Sequence, residues 1–166
     1  MTKILVTGGL GFIGSNLVPE LSSRGHEVWV CDLKHSEGPN YIRCDVSKYR
    51  QLERIFEEHN FDYVYHLAAE YGRWNGEDYY ENLWMANVIG TKNMIRLQEK
   101  KRFRMIFFSS AEVYGDYNGK MSEDSIITSR PIPRNNKPSK EGKDQTQQVA
   151  EEKYHGSFVN FAQRLT

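Results

Sequence analysis

Three glycines near the N-terminus, Gly8, Gly11 and Gly14, have the spacing G-x-x-G-x-x-G, and glycines in this arrangement can hold a phosphate group. The apolar run before them, residues 4–6, predicts a short buried parallel strand, and the helical spacing of apolar positions in residues 12–21 predicts a helix after them. Glycine lets a phosphate approach the backbone, and a helix N-terminus supplies free N–H groups and a partial positive charge. The pattern therefore predicts a pyrophosphate-binding turn.

An acidic residue at the right distance makes this pattern more specific than glycines alone. Asp32 closes a second predicted strand, Glu27–Cys31, and an acid at the end of that strand is typical of dinucleotide-binding turns. The alternative is a plain surface turn with an unrelated carboxylate, which the combination of strand, turn, helix and acid disfavours. The chemistry that these residues predict is the binding of a dinucleotide cofactor.

Composition excludes several other functions. The 166 residues predict one domain, and 22 basic residues balance 22 acidic ones, so there is no electrostatic case for nucleic acid or an anionic membrane. There is no apolar run of bilayer length, no signal-peptide pattern and no metal-binding spacing of His and Cys, so we expect a cytoplasmic protein without a metal.

The two cysteines, Cys31 and Cys44, lie near the ends of neighbouring predicted strands. Buried reduced thiols are the favoured interpretation, and a disulfide between the two residues is the alternative.

Predicted strands alternate with predicted helices along the chain. The third to sixth strands are expected at Tyr41–Cys44, Tyr63–Ala69, Arg104–Ser110 and Phe158–Ala162. One helix is expected from a Ser47 cap to Asn60, and a longer one from about Tyr79 to Lys101. This alternation predicts an α/β fold, a Rossmann-type doubly wound parallel sheet in the order 3-2-1-4-5-6, with helices on both faces and the ligand between strands 1 and 4.

The predicted long helix carries two apolar stripes. One consists of Tyr80, Trp84, Val88 and Ile95, and the other of Leu83, Ala86, Met94 and Leu97. One stripe must cover the sheet, and the other is expected to meet a neighbouring helix or a partner subunit. Residues 125–166 are polar and contain several prolines, so we expect them to be the frayed end of a single domain, residues 1–166.

Several short motifs occur in the order and at the separations of one enzyme family. They are TGGLGFIG at residues 7–14, Asp32, Asp45-Val46, HLAA at 66–69, NVIGT at 87–91, SSAEVYG at 109–115 and Ser139-Lys140. Over nearly its whole length the chain resembles the N-terminal half of an extended short-chain dehydrogenase/reductase, and more narrowly the NAD-dependent nucleotide-sugar epimerase/dehydratase family. The resemblance implies NAD, a nucleotide-sugar substrate, carbohydrate metabolism, an isomerase or lyase reaction, and a homodimer built through the long helix.

The resemblance also assigns residues to the cofactor. It implies that Asp32 accepts hydrogen bonds from the adenosine ribose and repels a 2′-phosphate, so NAD is favoured over NADP, although Lys34 and His35 leave NADP open. Asn87 would steady the active-site backbone, the alternative being a polar helix residue that faces water. The other implied cofactor residues are Gly8, Gly11, Phe12, Ile13 and Gly14 along the pyrophosphate, Asp45 and Val46 beside the adenine, Leu67, Ala68 and Ala69 behind the cofactor, Ser109 and Lys140.

The catalytic motif departs from the family pattern. In the family a Ser or Thr hydroxyl orients the sugar, and a Tyr four residues before a Lys removes the proton while hydride passes to NAD. By motif these positions are Ser110 and Lys140, but residue 136 is Asn, and an amide is no base near neutral pH. Glu112, in the place of a catalytic Glu of some relatives, is either a base or a polar residue at a strand end.

Two functions therefore stay open. The first is an NAD(H)-binding domain of a nucleotide-sugar epimerase, dehydratase or decarboxylase, catalytically impaired as this chain because the Tyr and the C-terminal substrate lobe are missing. The second is a non-enzymatic NAD-binding sensor or interaction module. The surviving Ser110, Glu112 and Lys140 favour the first for the lineage, whereas Asn136 favours the second for this chain.

Overall fold

A computed structural model describes residues 1–70 and 80–109. Five strands form one sheet in which all neighbours are parallel: β1 (Lys3–Thr7), β2 (Glu27–Asp32), β3 (Tyr41–Arg43), β4 (Tyr63–His66) and β5 (Arg104–Phe107). Their order is β3-β2-β1-β4-β5. The predicted order is confirmed for these five strands, and the predicted sixth strand, residues 158–162, lies outside the described residues.

β1 lies at the centre of the sheet because it is apolar on both faces. Residues 4–6 are at most 3% exposed, as a strand covered by helices on both sides requires. At the carboxyl end, Thr7 pairs with Cys31 of β2 and with His66 of β4. After β3 the chain crosses to the other side of β1 and continues with β4, so the winding of the sheet changes direction there. In a doubly wound sheet the ligand crevice lies at this change of direction, which here is beside Thr7.

Helices cover both faces of the sheet, as predicted. On one face α1 (Phe12–Ser23) places Leu21 in a cluster with Ile4, Val6 and Val28. On the other face, α2 (Tyr49–Glu58) and a later helix pack against alternate strand residues, and the cluster includes Leu5, Cys31, Leu52, Phe56, Val64, Met94 and Leu97. Successive residues of β1 therefore belong to opposite clusters, as the alternation of side chains along a strand dictates.

The prediction that Ser47 caps α2 is wrong. The helix begins at Tyr49, two residues later, and its N-cap Lys48 makes no side-chain capping bond. The Asp45 carboxylate accepts the Ser47 N–H at 2.9 Å, and the Asp45 carbonyl accepts the Lys48 N–H at 2.9 Å. An aspartate that bonds to the backbone two residues ahead favours a turn, and this turn delays the start of the helix.

The long helix, Tyr80–Lys101, consists of α3 (Tyr80–Leu83), a π-helical segment (Trp84–Gly90) and α4 (Thr91–Lys101). The stripe that contains Met94 and Leu97 covers the sheet. The other stripe, defined above by Tyr80, Trp84, Val88 and Ile95, is 42–64% exposed, and we call it the exposed stripe. In the described ranges, no helix has both the length and the apolar character needed to cross a membrane.

The two cysteines are neighbours in the core. Cys31 lies one residue before the end of β2, and Cys44 directly follows β3. Both side chains are buried and both thiols are free, as predicted. A hydrogen bond with Cys44 and burial raise the pKa of the Cys31 thiol well above its usual value. A neutral thiol is a poor nucleophile, so Cys31 acts in the core as a small apolar side chain.

Candidate functional site

The turn after β1 brings two backbone segments together at the carboxyl edge of the sheet. Gly8 has a φ of 69°, in the left-handed region that favours glycine, and its N–H donates to the Cys31 carbonyl at 2.8 Å. A Cβ at Gly8 would lie 2.8 Å from the Cα and N of Ala68. Gly14 is buried in α1, where a Cβ would lie 2.6 Å from the Gly8 carbonyl oxygen. The glycines are therefore required where strand, helix and loop meet.

α1 begins at this turn with no side-chain cap. Its N-cap is Gly11, whose N–H donates to the Gly8 carbonyl at 3.0 Å. Phe12, the first helical residue, is 84% exposed, and Ile13 is half-buried. The first N–H groups of a helix have no partner within it, and they carry the positive end of the helix dipole. This terminus fits the pyrophosphate of a dinucleotide.

The Asp32 carboxylate lies at the mouth of the glycine turn. Its Oδ2 accepts the Leu10 N–H at 3.0 Å, and its Oδ1 accepts the Lys34 N–H at 3.1 Å. A carboxylate has about four lone-pair positions, so two remain for the hydroxyls of a ribose. The carboxylate is thus held in place by backbone donors on both sides, and the arrangement fits the adenosine ribose of the cofactor.

Asp45 and Val46, the residues implied to border the adenine, follow β3 in a segment that two helices hold. The Asp45 N–H donates to Gln51 Oε1 of α2 at 2.8 Å. The Val46 carbonyl accepts a hydrogen bond from Asn93 Nδ2 at 3.0 Å, and a Cβ at Gly90 would lie 2.6 Å from Val46 Cγ2. The Val46 side chain is 6% exposed and belongs to the core.

The residues after β4 pass directly over the glycine turn. β4 ends at His66, three residues earlier than predicted, because the Ala68 N–H turns to the Thr7 side chain and donates to Oγ1 at 3.2 Å. Further on, the amide of Asn87 bonds to both backbone groups of Glu70: Oδ1 accepts the N–H at 2.7 Å, and Nδ2 donates to the carbonyl at 2.9 Å. Although Asn87 is exposed, its amide is engaged with the loop. The long helix thus holds the far end of this segment.

His66 lies beneath the same segment and connects three elements. It is 3% exposed, with Nδ1 2.8 Å from Thr7 Oγ1 and Nε2 3.3 Å from Thr91 Oγ1 of α4. The Thr7 hydroxyl also accepts the Ala68 N–H at 3.2 Å, so it connects the ring to the backbone of the segment after β4. Burial lowers the pKa of His66 to about 4, so the ring is neutral at pH 7.

The residues implied in catalysis are not part of the described structure. Ser109, two residues after β5, is exposed and is the last residue described. Ser110, Glu112, Asn136 and Lys140 lie outside the described residues, and their roles stay predictions. The structure therefore bears on the cofactor half of the site, where it brings together the glycine turn, Asp32 and the segment after β4.

Sequence reasoning missed the connection of Thr7, His66 and Thr91. The first pair is separated by 59 positions and the second by 25, so no local pattern joins them. One signal was present, since Thr7 and His66 end strands that the predicted order places side by side. Sequence reasoning also gave no role to Tyr41 and Arg43 of β3, which contact the turn that follows Asp32.

His66 is expected to make the free energy of unfolding depend on pH. Its pKa in the folded chain, about 4, is below the ordinary value of 6.5, so the unfolded chain binds the proton more tightly. The stabilising contribution is complete above about pH 6.5 and is lost as the pH falls toward 4, by at most about 3 kcal/mol. Urea unfolding at a series of pH values measures this loss.

The variant His66→Gln removes the titrating ring and should make the pH dependence between pH 6.5 and 4 shallower than in the unmodified chain. His35→Gln changes an exposed histidine and serves as the matched control, which should retain the original slope. A long-range ¹H–¹⁵N spectrum of the histidine rings reads the pKa and the tautomer directly. A His66 ring that titrates near pH 6.5 would contradict the buried neutral form.

The sequence matches the NAD dependent epimerase/dehydratase family over residues 4–157. The UDP-N-acetyl-alpha-D-glucosaminuronate decarboxylase of Bacillus cytotoxicus is 33% identical over 132 residues, which are 74% of this chain and 40% of that protein. The UDP-glucose 4-epimerase of Neisseria meningitidis serogroup C is 36% identical over 134 residues, which are 70% of this chain and 39% of that protein. The chain thus spans less than half the length of these two relatives.

The fold is similar to that of solved members of the same group. The UDP-glucose 4-epimerase from Bifidobacterium longum, in complex with NAD⁺ and UDP, aligns with a TM-score of 0.69 and 26% identity over 77% of this chain and 43% of that chain. The parallel sheet, the glycine turn and the acid at the end of β2 fit the same cofactor. The chain therefore belongs to the NAD dependent epimerase/dehydratase family, as its motifs implied, and NAD is its cofactor.

Proposed function

We propose that this chain binds NAD(H) as the cofactor domain of an enzyme that acts on nucleotide sugars. The observation that carries the proposal is the Asp32 carboxylate, held 3.0 Å from the Leu10 nitrogen at the mouth of the glycine turn. This position brings an acceptor for the ribose and the pyrophosphate turn within reach of one dinucleotide. The UDP-sugar decarboxylases and epimerases among the relatives support the substrate class.

Each part of the cofactor has residues that suit it. The pyrophosphate would lie against Gly8 and Gly11, with N–H groups of α1 donating to it. The ribose hydroxyls would donate to Asp32. The adenine would lie beside residues 45–46, and residues 67–69 would pass behind the cofactor, supported by Asn87 through Glu70.

The proposed reaction begins with oxidation of a sugar hydroxyl, for which NAD supplies the hydride acceptor. The Ser110 hydroxyl would orient the sugar, and Lys140 would lie near the reacting groups. Asn136 occupies the position of the proton acceptor and cannot act as a base near neutral pH. We therefore propose that catalysis is impaired in this chain, with Glu112 as the alternative base of an isomerase or lyase reaction.

A non-enzymatic NAD sensor or interaction module is the second candidate function. Asn136 favours it, because loss of the base leaves cofactor binding intact while it removes turnover. The two candidates differ in one observable. A sensor binds NAD without converting any nucleotide sugar, whereas an enzyme with Glu112 as base converts at least one.

The free thiols support a cytoplasmic location. Cys31 and Cys44 are buried in the same core cluster, and Cys44 contributes to the raised pKa of the Cys31 thiol, so the two side chains are close. Thiols so close together persist in a reducing compartment and tend to form disulfides in an oxidising one. We therefore propose that the protein works in the cytoplasm.

The exposed stripe supports a homodimer. Its four side chains are apolar or aromatic and 42–64% exposed, although the opposite side of the same helix is buried against the sheet. Exposed apolar side chains along one side of a helix are typical of an interaction surface. We propose that the stripe pairs with the same stripe of a second copy, because a two-fold arrangement buries both patches in one contact.

We expect NAD to bind more tightly than NADP. The Asp32 carboxylate accepts the ribose hydroxyls of NAD and repels the 2′-phosphate of NADP. Asp32→Ala should weaken NAD binding by about 1–3 kcal/mol, the scale of a lost charged hydrogen-bond partner. Calorimetric titration of both cofactors measures the two affinities. Glu37→Ala, at an exposed acid in the following loop, is the matched control and should leave them unchanged. Equal or tighter binding of NADP to the unmodified chain would show that Asp32 does not select the cofactor.

We expect little or no epimerase, dehydratase or decarboxylase activity from this chain. General-base catalysis contributes about 10²–10⁴-fold, and Asn136 cannot supply it. NADH formation and sugar conversion are measured with a panel of UDP-, GDP- and dTDP-sugars. Turnover by the unmodified chain at ordinary enzyme rates would overturn the proposed impairment, and its loss in Glu112→Gln would identify the base.

Sedimentation velocity over a range of concentrations tests the dimer. Val88→Lys places a charge in the middle of the exposed stripe and should shift the chain toward monomer, because burial of an unpaired charge is costly. Asn60→Lys adds the same charge at an exposed position just after α2 and should leave the association unchanged. An unmodified chain that remains monomeric at high concentration would argue against the homodimer.

A further inference from the structure

The segment from His66 to Glu70 is attached to the long helix at both of its ends. At the near end, His66 Nε2 lies 3.3 Å from Thr91 Oγ1. At the far end, the Asn87 side chain bonds to the N–H and the carbonyl of Glu70, at 2.7 and 2.9 Å. Asn87 and Thr91 are four positions apart, so both contacts come from one side of the helix. Residues 67–69 therefore lie between two points that the helix fixes.

A further contact holds the same segment from β1. His66 Nδ1 lies 2.8 Å from Thr7 Oγ1, and the Thr7 hydroxyl accepts the Ala68 N–H at 3.2 Å. The exposed fractions of His66 and Thr7 are 3% and 0%, so bulk water is excluded from these contacts. The imidazole ring therefore connects Thr91 of the helix, through Thr7, with the backbone at Ala68.

The Ala68 backbone is also in close contact with the glycine turn above it. A Cβ at Gly8 would lie 2.8 Å from the Cα of Ala68. In such a tightly packed region, a change in the position of the His66 ring or of Thr7 must also move Ala68 relative to Gly8. The path of residues 67–69 therefore depends on buried groups that lie beneath it.

The order of the strands indicates which half of the cofactor this segment meets. β1 lies between β2 and β4, and the proposed function puts the pyrophosphate at the turn after β1. It puts the adenosine ribose at Asp32, at the end of β2. The other half of the dinucleotide, nicotinamide with its ribose, then extends over the end of β4, where residues 67–69 lie.

We propose that His66 and Thr91 are positioning residues for the nicotinamide half of NAD, and that they act through Thr7 on residues 67–69. The proposal rests on the proposed function, which places the adenosine half at the end of β2. Thr91 provides a fixed point on the long helix, the ring connects this point to Thr7, and Thr7 holds the Ala68 backbone. Loss of either positioning residue should therefore weaken binding of the nicotinamide half much more than binding of the adenosine half.

Thr91→Val tests the contact with the helix, because it removes the hydroxyl and keeps the branched shape of the side chain. It should weaken NAD binding about threefold to tenfold, the scale of one hydrogen bond, and should change AMP binding much less. AMP is the second probe because it contains only the adenosine half of the cofactor. Thr91→Ser keeps the hydroxyl and should bind NAD as the unmodified chain does. Thr2→Val, just before β1 at the amino end of the sheet, is the matched control.

A double-variant cycle tests whether Thr91 acts through the ring. The amide in His66→Asn can reach the position of Nδ1, beside Thr7, but not that of Nε2, beside Thr91. In that background, Thr91→Val should have no further effect on NAD binding, because the partner of the hydroxyl is already gone. His66→Gln retains the contact with Thr91 and loses the one with Thr7, so it should weaken NAD more than His66→Asn does.

Calorimetric titration measures the affinities, and thermal unfolding establishes that each variant is folded. Three results would overturn the proposal: equal weakening of NAD and AMP by folded Thr91→Val, unchanged NAD affinity in that variant, or additive effects of Thr91→Val and His66→Asn. If Thr91→Val does not fold, the ring ¹⁵N shifts of His66 in the unmodified chain provide the test. They should change more with NAD than with AMP, and equal changes would overturn the proposal. Failure of the proposed function is distinguishable, because the unmodified chain would then bind neither NAD nor AMP.

Discussion

The backbones at Gly8 and Ala68 approach each other so closely that no side chain fits between them, and the crevice of the sheet is built around this contact. Gly8 follows the central strand β1, Ala68 follows its neighbour β4, and any side chain at residue 8 would lie 2.8 Å from the Ala68 backbone. These strands are neighbours where the winding of the sheet changes direction, so their ends form the floor of the crevice. The Thr7 hydroxyl secures the contact by accepting the Ala68 N–H.

Polar side chains can be buried around the contact of Gly8 with Ala68 because each of them has a hydrogen-bond partner. Within residues 1–70 and 80–109, every buried side-chain nitrogen or oxygen has a hydrogen-bond partner. His66 illustrates the requirement: both ring nitrogens lie near threonine hydroxyls, and a neutral ring costs far less to bury than a charged one. A fully partnered polar network in an apolar environment specifies one arrangement, since any shift leaves a donor or acceptor unpaired.

The long helix links the two loop segments on either side of the crevice. Near its centre, Asn87 bonds to Glu70 and Thr91 lies beside His66, on the β4 side. On the β3 side, Asn93 bonds to the carbonyls of Val46 and Ser47. π-helical segments are rare and are found frequently at functional sites. Here the segment Trp84–Gly90 contains Asn87 and ends just before Thr91, so the π-helical segment lies where the long helix contacts the residues after β4.

We could predict the order of the first five strands, the two-sided core and the glycine turn with its acid from the sequence, because apolar runs, glycine spacing and one carboxylate at a strand end are local patterns. The helical spacing also predicted the four residues of the exposed stripe as one set and placed Met94 and Leu97, which are buried, in the other. The packed structure was needed to establish which stripe is buried, where α2 begins, and how Arg43 and Tyr41 contact the turn after Asp32. The Thr7–His66–Thr91 connection joins residues 59 and 25 positions apart, and such pairs meet only when the sheet has formed and the helix has packed on it.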